Sequence, residues 1–423
     1  MTNAAAARTG TKLTIEKGKG YALFIALLPV LMMYKVPVVG IGVSTALIIA
    51  LSFYSAAVIF SDILRNGGRL RVSKLVLPFV IYLLYVVARS TGETVNMIQT
   101  LLIIVHILAF SLGAVNAAFL KKCTVTVAVA ASGLTLLQTA FYYTFNIHLP
   151  CIAPDLCLDS LWYYRDSILT GFQDTGNLYR PSAFFLEPSH LTQYAFVALL
   201  LCLFHGKRNI PAAICISAGM IATTSGMGIL LTAGIWFLFL LESVRRSNLS
   251  GKLMKLSLFV LGSVLVFFVM MQFGFFRSAI LRIFSPIEYS QDSYNAIWGR
   301  TLYWNKYISP MQGSQLLFGL GYVNLPEEYL TGLMELLYCS GILGVVLYYF
   351  AMLSVAVRCR GIPRMISLLL CGMMIMANFT SIISMTYYIG VLLTFAVPQE
   401  EENAAPGSGA PPASPDGTQA QRP

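Results

Sequence analysis

The chain has 423 residues, 57% hydrophobic and only 11% charged, with a formal net charge of +10 and a mean hydropathy of +0.73. Soluble domains carry about 25% charged residues. The deficit, with repeated apolar runs near 20 residues, excludes an ordinary soluble domain and indicates a polytopic membrane protein. The positive charge does not read as a nucleic-acid surface, because most Lys and Arg sit in short loops between apolar runs.

In chain order, a polar and basic segment, 1–20, comes first, and no small-residue cleavage site follows a short apolar core, so no cleavable signal peptide is expected. Twelve apolar spans follow, at about 21–34, 36–60, 75–88, 96–120, 123–145, 190–205, 209–223, 225–241, 256–273, 329–356, 365–382 and 386–397. Each is expected to be a helix, because lipid offers no partner to an open backbone. The pair spanning 209–241 is short for two crossings, which leaves a re-entrant turn at Thr223-Thr224-Ser225-Gly226 open. The last stretch, 398–423, is rich in Pro, Ala and Gly and reads as a disordered tail. No internal repeat of the transporter kind is evident.

With the N-terminus on one side, 20 of the 28 Lys and Arg fall on that side. The other side keeps eight: Lys35, Arg89, Arg165, Arg180, Arg277, Arg282, Arg300 and Lys306. The positive-inside rule then predicts cytoplasmic termini and puts two long loops, about 146–189 and 274–328, outside.

The first outer loop carries five acids, Arg165, Arg180 and the aromatic run Trp162-Tyr163-Tyr164. Most of these fit a solvated loop. Arg180 and Glu187 differ, since they lie next to the membrane surface with the apolar Phe184, Phe185 and Leu186 between them, where charge is costly unless paired or used. They form either a structural ion pair or part of a site. His190, three residues after Glu187, has two readings. It is a general base oriented by the carboxylate, or a helix-end histidine bonded to a backbone carbonyl. His106, His148 and His205 lack such company and read as structural or surface groups.

In the second outer loop, Arg300 falls between Trp298 and Trp304, whose faces would orient a guanidinium. Arginines on two outer loops suit a bidentate clamp on a diphosphate. Arg277 and Arg282 fit that clamp or plain snorkelling at the membrane interface equally well. Gly319-Leu320-Gly321 is too short for a nucleotide loop, and no Walker A motif is present. Cys151 and Cys157 bracket Pro154 and are read as a disulfide on the oxidising side. No cysteine or histidine spacing matches a metal site.

The run Arg180-Pro181-Ser182-Ala183-Phe184-Phe185-Leu186-Glu187-Pro188-Ser189-His190, leading straight into a span, resembles the hallmark of bacterial Wzy-type polysaccharide polymerases, relatives of the O-antigen ligases. Gly299-Arg300 to Trp304 with Leu317 to Gly321 resembles the second outer loop of that family. Tyr338 to Gly344 resembles the small-residue helix after it, and Thr224 to Gly228 the short Ser/Gly turn between spans. The resemblance covers most of 75–395. It implies an all-α integral membrane glycosyltransferase with about 12 transmembrane helices and a GT-C-like architecture. Such an enzyme joins glycan repeat units carried on undecaprenyl diphosphate at the outer face of the bacterial cytoplasmic membrane. No cofactor, nucleotide sugar or metal is implied. The implied partners are the lipid-linked donor and acceptor glycans and the bilayer, with a flippase and a chain-length regulator alongside. By this resemblance Arg180 and Arg300, assisted by Arg277 or Arg282 and by Trp304, hold diphosphate and sugar. Either Glu187 or His190 is the base. The alternatives are a ligase-like glycan transferase or a transporter of polysaccharide or lipid-linked oligosaccharide.

Overall fold

The computed structural model of the chain describes residues 18–36, 41–70, 72–150, 156–158, 179–245, 249–284, 303–326, 328, 330–378 and 380–404, with backbone alone at 249, 250, 275, 282–284 and 401–404. The described apolar runs are mainly α-helical, the economical arrangement away from water. The helices are α1 (Gly18–Leu31), α2 (Val43–Arg65), α3 (Leu77–Arg89), α4 (Thr94–Ser111), α5 (Ala117–Phe145), α6 (Pro188–Phe204), α7 (Ile210–Ala222), α8 (Gly226–Arg245), α9 (Leu249–Met271), α10 (Gly274–Phe284), α11 (Ser314–Phe318), α12 (Gly332–Arg358), α13 (Ile362–Met373) and α14 (Ile382–Ala404). Seven of them (α2, α4, α5, α8, α9, α12 and α14) are long and apolar enough to cross a membrane by length and composition. Helices α1, α3, α6, α7 and α13 are shorter apolar helices.

Helix α6 is the centre of the bundle. Every residue from Leu191 to Leu203 is buried, as expected of a helix apolar all round. It packs against α5, α7, α8 and α13. Small residues set the closest crossings, the usual device where lipid competes for every apolar face. A Cβ on Gly219 of α7 would lie 2.6 Å from Oγ of Ser132 in α5. One on Gly228 of α8 would lie 2.6 Å from Cγ2 of Thr192 in α6. A second layer places α3 against α12 and α4, and α4 against α2 and α14. Helix α9 packs mainly against its chain neighbours α8 and α10 among the described residues, and its described apolar side chains are mostly exposed, as suits a lipid-facing helix.

The polar groups around His106 inside the bundle are paired. The His106 ring in α4 lies 2.6 Å from the Tyr21 hydroxyl and 3.1 Å from Ser55 at Nδ1, and 3.1 Å from both Ser52 and the Ile48 carbonyl at Nε2. A buried histidine satisfied on both nitrogens is a structural group. His106→Ala should therefore cost about 1–3 kcal/mol through orphaned neighbours, read as a lowered Tm of the detergent-solubilised protein. An unchanged Tm would show that the network contributes nothing.

Four expectations about boundaries are corrected. The break expected near Lys121-Lys122 falls at Leu112–Asn116, where Gly113 has φ 68° and the Asn116 side chain accepts from Phe119 N at 2.8 Å. The two lysines ride on α5 instead, with Lys121 Nζ on the His205 carbonyl. The tail boundary drawn at 398 lies inside α14, which passes through Pro398 to Ala404. Contacts of Ser73 with Glu400 and of Arg360 with Gln399 hold those last turns. Residues 274–284, expected as loop, form α10, with Phe276 and Ala279 buried one turn apart. The span expected at 365–382 is helical only to Met373, and α14 starts at Ile382.

Candidate functional site

The run from Arg180 to His190 forms the entry to α6. Gln138 of α5 fixes both sides of the loop, donating to Leu149 O at 2.8 Å and accepting from Ala183 N at 2.9 Å. Tyr179 stacks on Tyr142 with centroids 4.2 Å apart and meets His148 edge-on, which holds the half-buried Arg180 beside it. Phe185 is fully buried, its ring 5.3 Å from that of Tyr194 in α6. Pro188 takes the first helical position, where its missing N–H costs nothing. Glu187 is thus the N-cap, with extended backbone, and its carboxylate accepts from the Ser189 hydroxyl at 2.9 Å. His190 Nδ1 is buried with no hydrogen-bond partner among the described residues, so the structure does not join the carboxylate to the ring. An ion pair joins Lys306 to Glu328 at 2.6 Å on the second loop. The Thr223–Ser225 turn lies at this same end, since Gly228 just beyond it meets Thr192.

The described part of the second loop folds onto the start of α12. Ile308 and Met311 pack with Leu330 and Met334, ringed by Tyr303, Tyr307, Leu320 and Tyr338. Lys306 and Tyr307 both reach Glu328 at 2.6 Å. Those donors, Lys306 first, push the Glu328 carboxyl down to about 2. Trp304 opens a short π-helical turn and is 38% exposed.

Helix α12 is broken at Gly341, whose φ 66° and ψ −170° are not helical. The break frees carbonyls that an unbroken helix would use internally. Tyr338 O accepts from Leu320 N at 2.7 Å, Cys339 O from Gly321 N at 3.0 Å, and Ser340 O from the Tyr85 hydroxyl at 2.8 Å. Arg89 at the end of α3 donates to Gly319 O at 2.9 Å. The Gly319-Leu320-Gly321 turn is therefore a backbone dock for the second loop against α3 and α12.

Sequence reading missed the third part. Glu335, one turn into α12, is buried. Thr380 Oγ1 donates to its Oε1 at 2.6 Å and Asn378 Nδ2 to its Oε2. The non-helical stretch after α13 supplies both donors. It also caps α12, with Ala377 O accepting from Gly332 N at 3.0 Å and Met374 O from Leu333 N at 2.8 Å. Glu335 lines a small pocket of about 40 Å³, with Tyr82, Asn96, Gln99, Thr100, Tyr322 and Thr380 among its walls. A carboxylate inside an apolar span was the available signal.

Of the residues singled out from sequence, Arg180, Glu187 and His190 lie together at the α6 entry. Arg277 is exposed on α10, and Trp304 sits on the second loop. The side chain of Arg282, all of Arg300 and Cys151 lie outside the described residues, so the Cys151–Cys157 pairing does too. Cys157 itself makes a bridge to Tyr34 in the loop between α1 and α2. None of the predicted residues lines the Glu335 pocket. Among the described residues no cluster of three His, Cys, Asp or Glu is placed to hold a metal ion.

Fold and composition together define an α-helical membrane protein, with a loop entry into its central helix and a polar pocket at the broken α12. Comparison with family models, curated proteins and solved structures finds no match for the chain.

Proposed function

We propose that the chain is a polysaccharide polymerase of the bacterial cytoplasmic membrane. In this reading it joins oligosaccharide repeat units carried on undecaprenyl diphosphate at the outer face, and its termini are cytoplasmic. The twelve apolar helices are its spans, in a GT-C-like arrangement. The observation that carries the reading is the Arg180–His190 run feeding directly into the buried α6, at a bundle end poor in Lys and Arg.

The reaction needs no redox partner. A hydroxyl oxygen of the acceptor unit bonds to the anomeric carbon of the donor unit. The bond from that carbon to the diphosphate oxygen breaks, and the lipid diphosphate leaves with the electron pair. Glu187 or His190 takes the hydroxyl proton. The unpartnered His190 Nδ1 and the singly bonded Glu187 carboxylate are both free to do so. Arg180 and Arg300, with Arg277 or Arg282, neutralise charge developing on the diphosphate. The polyprenyl chains lie in grooves between spans near Gly332–Gly344.

A transporter of lipid-linked oligosaccharide is the second reading. The break in α12 beside a buried carboxylate favours it, since discontinuous helices line transport sites. Loss of the gene separates the readings, with the cell-surface glycan and lipid-linked pool as readout. A polymerase leaves single repeat units on the final acceptor. A ligase-like transferase leaves finished polymer on the lipid carrier, and a transporter traps units in the cytoplasmic leaflet. Either of the last two results would overturn the polymerase assignment.

A further inference from the structure

We propose that the small pocket at Glu335 binds one sodium ion. The inference stands on the pocket alone and holds for a polymerase or a transporter.

Charge balance is the first argument. Glu335 lies inside the apolar helix α12 and is 7% exposed, where a carboxylate is costly unless something neutralises it. The two side chains that reach it are neutral. Asn378 Nδ2 donates to Leu330 O at 3.1 Å and to Glu335 Oε2, while its Oδ1 accepts from Thr380 N at 3.0 Å. Thr380 Oγ1 donates to Oε1 at 2.6 Å. These contacts fix both carboxylate oxygens and leave each a lone pair, but they bring no positive charge. Among the described residues that line the pocket there is no Lys, Arg or His. One carboxylate balances one positive charge, and a divalent ion would leave a charge over in the same apolar setting.

The remaining walls supply oxygen ligands. Asn96, Gln99 and Thr100 stand three and four residues apart on one face of α4, and all three line the pocket. Ser90 Oγ donates to Val86 O at 2.8 Å, so it accepts from Asn96 Nδ2 at 2.7 Å. That bond orients the amide and leaves Asn96 Oδ1 as an acceptor. Thr100 Oγ1 gives its one hydrogen to Asn96 O at 2.8 Å, so only lone pairs are left for a ligand. Gln99 adds a second amide oxygen. Carboxylate, amide and hydroxyl oxygens are the ligands that hard cations take. The space agrees, because about 40 Å³ holds an ion with about two waters, each needing about 10–15 Å³. Tyr322 of the second loop closes one wall, so the ion sits where α4, α12 and the docked loop meet.

The test is carbodiimide labelling of the full-length protein in lipid nanodiscs. Dicyclohexylcarbodiimide is the probe, and peptide mass spectrometry reads the adduct at Glu335. NaCl, KCl and choline chloride are compared at equal ionic strength. The expected result is an adduct in choline chloride whose formation slows about tenfold at saturating NaCl, by simple occupancy, and much less in KCl. Thr100→Val lacks one oxygen ligand and should raise the half-protecting sodium concentration about tenfold, the scale of one lost contact to a charge. Thr100→Ser should restore it. Equal labelling in the three salts overturns the proposal, and so does protection by KCl or choline chloride as strong as that by NaCl. A second readout needs no label. The Tm should rise in NaCl over choline chloride for the wild type and not for Glu335→Gln. The same rise in Glu335→Gln, or no adduct in choline chloride together with no rise in the wild type, overturns the proposal as well.

Discussion

Gly341→Ala should lose about 4 kcal/mol of stability and release the second loop from α12. Two costs add. The backbone at φ 66° and ψ −170° lies in a region that essentially only glycine occupies, which costs about 1–3 kcal/mol for another residue. A Cβ there would also stand 2.5 Å from Gly319 N and closer still to Leu317 O, and both are backbone atoms that cannot swing aside. Overpacking of this kind costs about 1–3 kcal/mol more. The strain falls on the dock itself, because Leu320 and Gly321, next to Gly319, donate to the carbonyls of Tyr338 and Cys339 that the break exposes. Thermal unfolding in detergent and limited proteolysis between 303 and 330 read the outcome. Gly133→Ala is the control, since nothing lies within 4 Å of a Cβ there. A wild-type melting temperature with an uncut loop in Gly341→Ala would contradict the account of the kink.

Arg180→Ala should lower polymer formation by about 100- to 1000-fold, the scale expected when one preorganised donor to a developing oxyanion is removed. The loop on either side of Arg180 is held by the Tyr179 stack and the Gln138 staple, so removal of the half-buried side chain should leave the fold intact. Arg180→Lys should fail as well, because an ammonium cannot make the paired contacts of a guanidinium. Glu187→Gln separates two roles. As a structural acceptor for the Ser189 hydroxyl, its loss should shift Tm slightly and leave polymer length alone. As the base, its loss should abolish polymer at unchanged Tm. Normal long-chain polymer in both Arg180→Ala and Glu187→Gln would mean that the α6 entry is not the site.

The helical character and the order of the apolar runs were legible in the sequence, because hydropathy alone requires them. The special position of the α6 entry was legible too, since charges and prolines beside an apolar run are costly without a purpose. Boundaries set by single residues were not. Lys121 and Lys122 drew the expected break toward themselves, whereas Gly113 and the Asn116 cap make it. Gly341 looks like any small residue in a membrane helix, and its φ becomes necessary only once Leu317 to Gly321 dock against it. The Glu335 cradle was hidden for a similar reason. Asn378 and Thr380 come from more than 40 residues downstream, in a stretch apolar enough to pass for the end of a span. The lone carboxylate in 329–356 was in view, but nothing local says which donors would satisfy it.

The central claim is that this chain alone links lipid-borne repeat units through the α6 entry. Proteoliposomes containing the full-length protein and undecaprenyl-diphosphate-linked repeat units, with no nucleotide sugar and with a chelator present, test it most directly. Separation of the lipid-linked glycans by length should show a ladder above one repeat unit for the wild type and single units for Arg180→Ala. Single units with the wild-type protein, or the same ladder with Arg180→Ala, would contradict the account.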